Sequence, residues 1–208
     1  MAYCVRILPW ALAAAVLWAP LARASSWNEA TDGDLSGDRL APSALALTAG
    51  DNTVTGTTIV DDLDYLTVTV PAGFTLTEIN LLSYVSIDDL AFIGMQAGST
   101  FTQPATGTDV TQLLGWAHFG LPLDGSPLPS PYFDALGSSP GAIGFSGPLP
   151  AGPYTLWIQQ ANTVQVDYSW GLVVREGGVP EPSSGALALL GLTALLGRVA
   201  NRFLGRTQ

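Results

Sequence analysis

The stretch Val164-Gln-Val-Asp-Tyr-Ser-Trp-Gly-Leu-Val-Val174 carries a large apolar side chain at every even-numbered position. Successive side chains of a β-strand point to opposite faces, so this two-residue period predicts a long strand with one face in a core. A shorter stretch, Asp64-Tyr-Leu-Thr-Val-Thr-Val70, alternates in the same way and is closed by the turn Pro71-Ala72-Gly73. These two stretches predict that the domain belongs to the all-β class.

Seven further segments have the apolar content and the flanking Gly, Pro, Asn or Asp residues that are typical of short strands. They are residues 44–48, 52–59, 75–85, 91–97, 113–119, 142–146 and 154–160. No segment before residue 185 has a helical period. The sequence therefore predicts an all-β domain over residues 44–176, an antiparallel β-sandwich or jelly roll of about eight or nine strands.

The first 24 residues have the pattern of a secretory signal peptide. Arg6 supplies a positive start, residues 7–21 are apolar, and Ala22-Arg23-Ala24 is a small-residue cleavage site. We therefore expect an exported chain that begins at Ser25. The one cysteine, Cys4, lies in the removed segment, so the mature chain is expected to have no disulfide and no cysteine-ligated metal.

The last thirty or so residues divide into three parts. Residues 177–184 include Val179-Pro180-Glu181-Pro182, which cannot be helical and predicts an extended tether. Residues 185–206 begin with an uncharged apolar run and end with Arg198, Arg202 and Arg206. We expect a transmembrane helix with a basic end that stays in the cytoplasm. The alternative for so short an apolar run is a buried C-terminal core helix.

This order of V-P-E-P motif, short apolar helix and basic end resembles the PEP-CTERM sorting signal of bacteria that export polysaccharide. The resemblance implies that a membrane-embedded exosortase is a partner and removes the helix near Pro180-Glu181-Pro182. It further implies transport across the bacterial inner membrane, a transient membrane anchor, and then a place at the cell surface or in an extracellular biofilm. Extracellular polysaccharide is the partner implied there.

Charge is unevenly distributed along the chain. Residues 25–182 hold all seventeen Asp and Glu residues but only two of the seven basic residues, Arg39 and Arg175, which gives a net charge of −15. Such a surface repels nucleic acid, so nucleic-acid binding is not expected. It is compatible with calcium and with an acidic extracellular setting.

The stretch Asp32-Gly-Asp-Leu-Ser-Gly-Asp38 lies in an acidic linker, residues 25–43. Oxygen ligands at residues 32, 34, 36 and 38, with glycines between them, predict a loop that wraps a calcium ion. The loop is not an EF-hand, because Ser43 stands where the closing glutamate would be required. The alternative is an acidic turn in contact with solvent.

Two further segments, Asp61-Asp-Leu-Asp-Tyr65 followed by the strand to Gly73, and Gly152-Pro-Tyr154, resemble the bacterial pre-peptidase C-terminal domain. That family is a small jelly-roll module. Some members hold calcium between an acidic N-terminal linker and an Asp before the first long strand. The resemblance therefore implies Asp62 or Asp64 as a partner of Asp32, Asp34 and Asp38.

The sequence shows no catalytic constellation. His118 is the one histidine, and Gly144-Phe-Ser-Gly-Pro148 lacks the G-x-S-x-G pattern of a nucleophile elbow. No pair of carboxylates stands out for glycoside hydrolysis. We therefore expect a protein that is not an enzyme.

Trp116 and Trp157 are candidate ligand-binding residues, because tryptophan stacks on sugar rings. The alternative is that both pack in the core. The long irregular loop predicted for residues 120–141 is a candidate rim for such a ligand. Two functions stay open: a non-enzymatic surface or matrix protein that displays an acidic β-sandwich, and a calcium-stabilised carbohydrate-binding module.

Overall fold

The structure is a computed structural model that describes residues 23–107, 109–121 and 128–177. The predicted signal peptide lies outside these residues except for its last two positions. The predicted tether beyond Gly177 and the predicted sorting helix also lie outside them.

Ten strands and two short helices form in the described part of the chain. They are β1 (Ser26–Asn28), α1 (Glu29–Asp32), β2 (Ser43–Ala46), β3 (Gly50–Thr58), β4 (Leu63–Val70), β5 (Phe74–Val85), β6 (Ala91–Ala97), β7 (Gly115–Phe119), β8 (Ser130–Pro131), α2 (Phe133–Gly137), β9 (Gly152–Gln159) and β10 (Val166–Glu176).

The strands form two five-stranded sheets packed face to face, which confirms the predicted β-sandwich. The first sheet has the order β1-β3-β10-β5-β8 and the second has the order β2-β4-β9-β6-β7. The pairs β1–β3 and β2–β4 are parallel, and the other pairs are antiparallel. The prediction of purely antiparallel sheets is therefore wrong at one edge of each sheet. The cause is that the chain passes to the opposite sheet between β2 and β4, and such a crossover permits parallel pairing.

The two stretches with the clearest alternation supply the centre of the core. Strand β10 lies in the middle of the first sheet, and its inward side chains are almost completely buried, among them Tyr168 and Trp170. Leu66 and Val68 of β4 face them from the second sheet and are fully buried. Full burial of a side chain of this size contributes about 1.5–3 kcal/mol to the free energy of folding. The apolar side chains that the two-residue period places between the sheets therefore contribute strongly to the stability of the sandwich.

Two segments predicted as irregular are partly ordered elements. The acidic linker, residues 25–43, contributes β1 and α1 and supplies the first residue of β2. The long loop, residues 120–141, contains β8 and α2 in its described part. Phe133 and Leu136 of α2 are buried in the core, which anchors that loop.

One predicted strand, residues 142–146, does not form. The backbone N–H of Ile143 donates to the carbonyl of Leu113 at 2.9 Å, but the segment continues into no ladder. Gly141, Gly144 and Gly147 have φ values of 77°, 76° and 73°. This left-handed conformation interrupts the regular extension that a strand requires.

The two ends of the sandwich are distinct. Strand β10 ends at Glu176, opposite Phe74, and the N–H of Gly177 donates to the carbonyl of Gly73 at 2.8 Å. We call this the proximal end. The distal end is where β3 finishes at Thr58, β4 begins and β9 finishes. Neither α1 nor α2, the helices of the described residues, is long or apolar enough to span a bilayer.

Candidate functional site

Three carboxylates from distant parts of the sequence meet near the distal end. Glu29, Asp34 and Asp64 each offer one oxygen, and these three oxygens lie within 4.8 Å of one another. Glu29 is half-buried, Asp34 is exposed and Asp64 is buried, so solvent reaches the cluster at Asp34. We call these three residues the acidic cluster.

Asp64 is the buried base of the acidic cluster. It lies on β4 with the parity of Leu66, so its side chain points between the sheets, and it is only 1% exposed. Its Oδ2 accepts a hydrogen bond from the hydroxyl of Tyr168 at 2.7 Å, whereas its Oδ1 is buried without a partner among the described residues. Burial raises the pKa of Asp64 to about 8, and the nearby carboxylates of Glu29 and Asp62 add to the rise.

Glu29 is brought to the acidic cluster by the parallel pairing of β1 with β3. Its Oε2 accepts from the N–H of Thr57 at 2.7 Å and its Oε1 accepts from the N–H of Leu35 at 3.2 Å. Gly56 makes the approach possible, because a Cβ there would lie 2.7 Å from the Glu29 Cδ and 2.6 Å from the Tyr168 hydroxyl. Partial burial is the main cause of the raised pKa of Glu29.

Asp34 and Asp62 complete the negative surroundings. Asp34 follows Gly33, whose φ of 92° reverses the chain after α1. Partial burial raises the pKa of Asp62, and the charge of Asp34 raises it further. Four carboxylates therefore act on one another in this region, and none of the basic residues forms a salt bridge with them within the described residues.

The acidic cluster has the composition of a site for a hard metal ion. Carboxylate oxygens are the ligands of Ca²⁺, Mg²⁺ and Mn²⁺, and an unpaired buried carboxylate is costly without a positive partner. The three oxygens lie within 4.8 Å of one another, a spacing compatible with shared contact to one Ca²⁺ ion, whose Ca²⁺–O distances are about 2.3–2.6 Å, after small side-chain adjustments. The arrangement of Glu29, Asp34 and Asp64 can therefore hold a metal ion.

The predicted calcium ligands fall into two groups. The structure brings Asp34 and Asp64 together and places Asp62 near them. It does not bring Asp32 or Asp38 into the cluster: Asp32 Oδ2 accepts from the N–H of Asn28 at 2.8 Å, and Asp38 Oδ1 accepts from the N–H of Leu40 at 2.9 Å. Both carboxylates thus stabilise local turns.

Glu29 was missed by the sequence reasoning. No spacing signal marks it, because its position depends on the pairing of Trp27 with Val54 in the parallel edge of the first sheet. The sequence of the linker alone does not predict this pairing register between β1 and β3.

A second candidate site lies on the outer face of the second sheet. Aromatic side chains from three adjacent strands cover this face, and the segment between β6 and β7 packs on part of it. The uncovered part is an open groove of about 430 Å³. We call it the aromatic groove, and its described lining is Phe92, Ala105, Thr106, Gly107, Asp109, Val110, Leu113, Trp116, His118, Trp157 and Gln159.

The two tryptophans predicted as ligand-binding residues differ in this groove. Trp157 is only 4% exposed, because Phe101 and Leu113 pack in the same cluster and cover it. Trp116 is half-buried, and its indole N–H donates to the carbonyl of Pro140 at 3.1 Å. Trp116 therefore presents a ring to the groove, and Trp157 serves mainly as its floor.

Residues 122–127 of the predicted ligand rim, the loop 120–141, lie outside the described residues, and its described residues are not among those that line the groove. The described residues that line the groove come from the segment between β6 and β7, including Ala105 and Val110. The 120–141 segment contributes through Pro140, which fixes the Trp116 indole. His118 is exposed on the same face and lies edge-on to Phe92 and Trp116, at centroid distances of 6.1 Å and 5.6 Å.

The predicted sorting residues lie outside the described residues. They are Val179, Pro180, Glu181, Pro182, Arg198, Arg202 and Arg206. Comparison with known proteins gives no relative: no family model, no curated protein and no solved structure matches this chain.

Proposed function

We propose that this chain is an exported, non-enzymatic surface or matrix protein that displays a calcium-stabilised β-sandwich. The observation that carries the proposal is the buried Asp64 Oδ1, which has no hydrogen-bond partner among the described residues and lies in a cluster with Glu29 and Asp34. A divalent cation would neutralise this charge and link the N-terminal segment to β4. Calcium is the cation of choice, because it accepts irregular oxygen sets and is abundant outside cells.

A melting experiment tests the metal part of the proposal. Calcium at about a hundredfold excess over its Kd should stabilise the mature protein by about 2.7 kcal/mol, which is roughly 5–10 °C in Tm for a domain of this size. Asp34→Ala should abolish that shift. Asp38→Ala is the matched control, because it removes an acidic side chain from the same loop that is not in the cluster.

Magnesium at equal ionic strength separates binding from screening. Magnesium demands a nearly octahedral site and gives up its water reluctantly, so we expect a much smaller shift. Equal Tm values for the wild type with and without calcium would refute the metal part of the proposal.

Export and sorting rest on the two terminal sequence signals. The proposal is that the signal peptide directs the chain across the bacterial inner membrane, and that an exosortase reads Pro180-Glu181-Pro182. The mature chain should then begin at Ser25, which N-terminal sequencing of exported protein can check. Replacing the three motif residues by alanine should leave export intact and cause a tail-bearing form to accumulate in membranes. Unchanged processing would leave the tail as a passive anchor.

The proposal includes no catalysed reaction. The one histidine of the chain, His118, lies on an exposed sheet face, edge-on to the rings of Phe92 and Trp116. We further propose that the sandwich is a jelly-roll module of the pre-peptidase C-terminal type, with the acidic N-terminal segment as its metal-bearing arm. The support for this is the contact between that segment and β4 at Asp64.

A second candidate function is that of a calcium-stabilised carbohydrate-binding module. The observation that favours it is the aromatic groove, where Trp116 and Phe92 present nearly parallel rings next to polar side chains. Extracellular polysaccharide is then the partner. This candidate is compatible with the first, because the groove and the acidic cluster share no residue.

A further inference from the structure

The aromatic groove continues into a second pocket. A space of about 140 Å³ lies next to it and is lined partly by Leu90, Gln160 and Ala161. The two spaces share Phe92, His118 and Gln159 as lining residues. They are therefore two adjoining compartments of one elongated groove, with Phe92 in the middle.

The register of the second sheet explains this arrangement. Phe92 of β6 lies directly between His118 of β7 and Gln159 of β9. One row farther along, Gly94 lies between Trp116 and Trp157. Because Gly94 has no side chain, the Phe92 ring can lie over it, between the two tryptophans. One row across the sheet therefore consists of His118, Phe92 and Gln159, and the next row consists of Trp116, Gly94 and Trp157.

The aromatic rings offer flat surfaces of the kind that stack on sugar rings. The planes of Phe92 and Trp116 are within 18° of each other, with centroids 6.4 Å apart. Trp116 is held in place by the bond from its indole N–H to Pro140, so little ordering is required on binding. A pyranose ring has an apolar C–H face that suits such a platform.

Polar groups next to this platform have free hydrogen-bonding capacity. His118 is exposed and Gln159 is half-buried, and the side chain of neither residue makes a hydrogen bond within residues 23–107, 109–121 and 128–177. Both residues face both compartments. A ligand with hydroxyls around an apolar ring can therefore stack and bond at once, whereas a purely apolar ligand would leave these groups unpaired.

The charge of the surroundings selects among saccharides. Asp109, on the wall of the larger compartment, accepts hydrogen bonds from the N–H and hydroxyl of Thr111 at 2.9 Å and 2.6 Å, which lowers its pKa. No arginine is among the described lining residues. With a net charge of −15 on residues 25–182, the groove repels uronates and sulfated sugars.

We propose that this groove binds a short segment of a neutral, linear polysaccharide, with one pyranose ring stacked on Trp116 next to Phe92 and the next ring beside Leu90. The inference rests on the second candidate function and names its ligand class. Phe92 and Gln159 lie toward the distal end of the sandwich, away from Gly177, where the chain leaves toward its tail. The groove therefore lies away from the last described residue of the chain, Gly177.

Calorimetric titration of the mature protein with neutral oligosaccharides tests the proposal. The probes are gluco-, manno- and galacto-oligosaccharides of about one to four rings, with an oligouronate as the charged comparison. In at least one neutral series, affinity should rise from one ring to two or three rings and then level off. The oligouronate should bind more weakly, and the difference should grow at low salt.

Two variants locate the site. Trp116→Ala should lower the affinity for the neutral oligosaccharide by about tenfold or more, because it removes the stacking surface. Trp27→Ala is the matched control: Trp27 is also half-buried but lies on β1 of the first sheet, and its loss should leave the affinity unchanged. Melting curves check that both variants are folded.

Three outcomes would overturn the inference. They are the absence of binding in every neutral series, equal binding by the wild type and Trp116→Ala, and sedimentation that shows the groove covered by a second copy of the chain. Failure here is separable from failure of the calcium proposal, because calcium is scored by Tm without sugar. A protein that responds to calcium and binds no saccharide keeps the first candidate function and loses only this inference.

Discussion

The acidic cluster and the aromatic groove are opposites in what they require. The cluster holds a buried carboxylate oxygen that has no hydrogen-bond partner in the described part of the chain and lies among other carboxylates. The groove is open, has no buried charge, and its half-buried Trp116 already has a bonded indole N–H. From this difference we expect the cluster to lower the stability of the metal-free sandwich and a bound cation to raise it. We expect the stability of the groove, by contrast, to depend little on a ligand.

The largest expected effect comes from comparing the two tryptophans of the groove, Trp157, which is packed beneath it, and Trp116, which presents its ring to a ligand. Trp157→Ala should destabilise the protein by about 3–5 kcal/mol, because the nearly buried indole packs against Tyr65 and Phe101. Trp116→Ala should cost only about 1–2 kcal/mol, since that side chain is less buried than Trp157. Urea denaturation of both variants measures this. Equal losses would mean that Trp116 is a core residue and no platform.

A pair of glycine substitutions compares the two regions directly. Gly56→Ala should destabilise the protein by about 2–3 kcal/mol and abolish the calcium shift, because its Cβ would displace Glu29 and the Tyr168 hydroxyl. Gly94→Ala, in the groove, meets only the Phe92 ring at 3.1 Å and Phe101 at 3.4 Å, so about 1 kcal/mol is expected. Retention of the full calcium response by Gly56→Ala would show that Glu29 is not a ligand.

Neutralising the buried carboxylate should stabilise the metal-free protein. Asp64→Asn keeps an acceptor for the Tyr168 hydroxyl and removes the unpaired charge, so the free energy of unfolding at about pH 8 should rise by about 1–2 kcal/mol without calcium. In saturating calcium the order should reverse, with the wild type more stable. Asp38→Asn should change neither value. A destabilised Asp64→Asn in calcium-free buffer would show that the carboxylate has a stabilising partner of its own.

The pH dependence of the metal-free protein should follow from the same carboxylates. The raised pKa of Asp64, about 8, means that the folded state binds more protons than the unfolded state between about pH 4 and pH 8. The free energy of unfolding should therefore fall as pH rises through that window. Calcium should flatten this slope, because the cation replaces the protons. Urea titrations at several pH values measure the slope, and a rise of stability with pH would contradict it.

The core of the sandwich could be predicted from the sequence to a greater extent than the acidic cluster. Tyr168, Trp170, Leu66 and Val68 follow the period of two, which depends only on local geometry, so the core and the two-sheet class were predictable. Asp34 and Asp64 are two of the five residues, with Asp32, Asp38 and Asp62, that the spacing of the acidic linker and the resemblance to pre-peptidase C-terminal domains nominated as calcium ligands, and the acidic cluster contains only these two of the five. Glu29 was not predictable, since its position depends on a parallel register between β1 and β3.

The groove shows a similar limit. Trp116 and Trp157 have the same parity toward the outer face of one sheet, and the sequence does not reveal that Phe101 and Leu113 cover only one of them. Whether a tryptophan is covered depends on where the segment between β6 and β7 packs on the outer face of the sheet. The failed strand at residues 142–146 has a local cause, because three glycines with positive φ interrupt an otherwise strand-like composition.

Chemical-shift mapping during a calcium titration tests the central claim most directly, that the acidic cluster is a cation site. Calcium is added to metal-free, ¹⁵N-labelled protein while backbone amide signals are followed. We predict saturable changes at Glu29, Leu35, Thr57 and Asp64, with the groove residue Trp116 unchanged. Small shifts spread over all acidic surface residues without saturation, or saturable shifts confined to other carboxylates, would contradict the account.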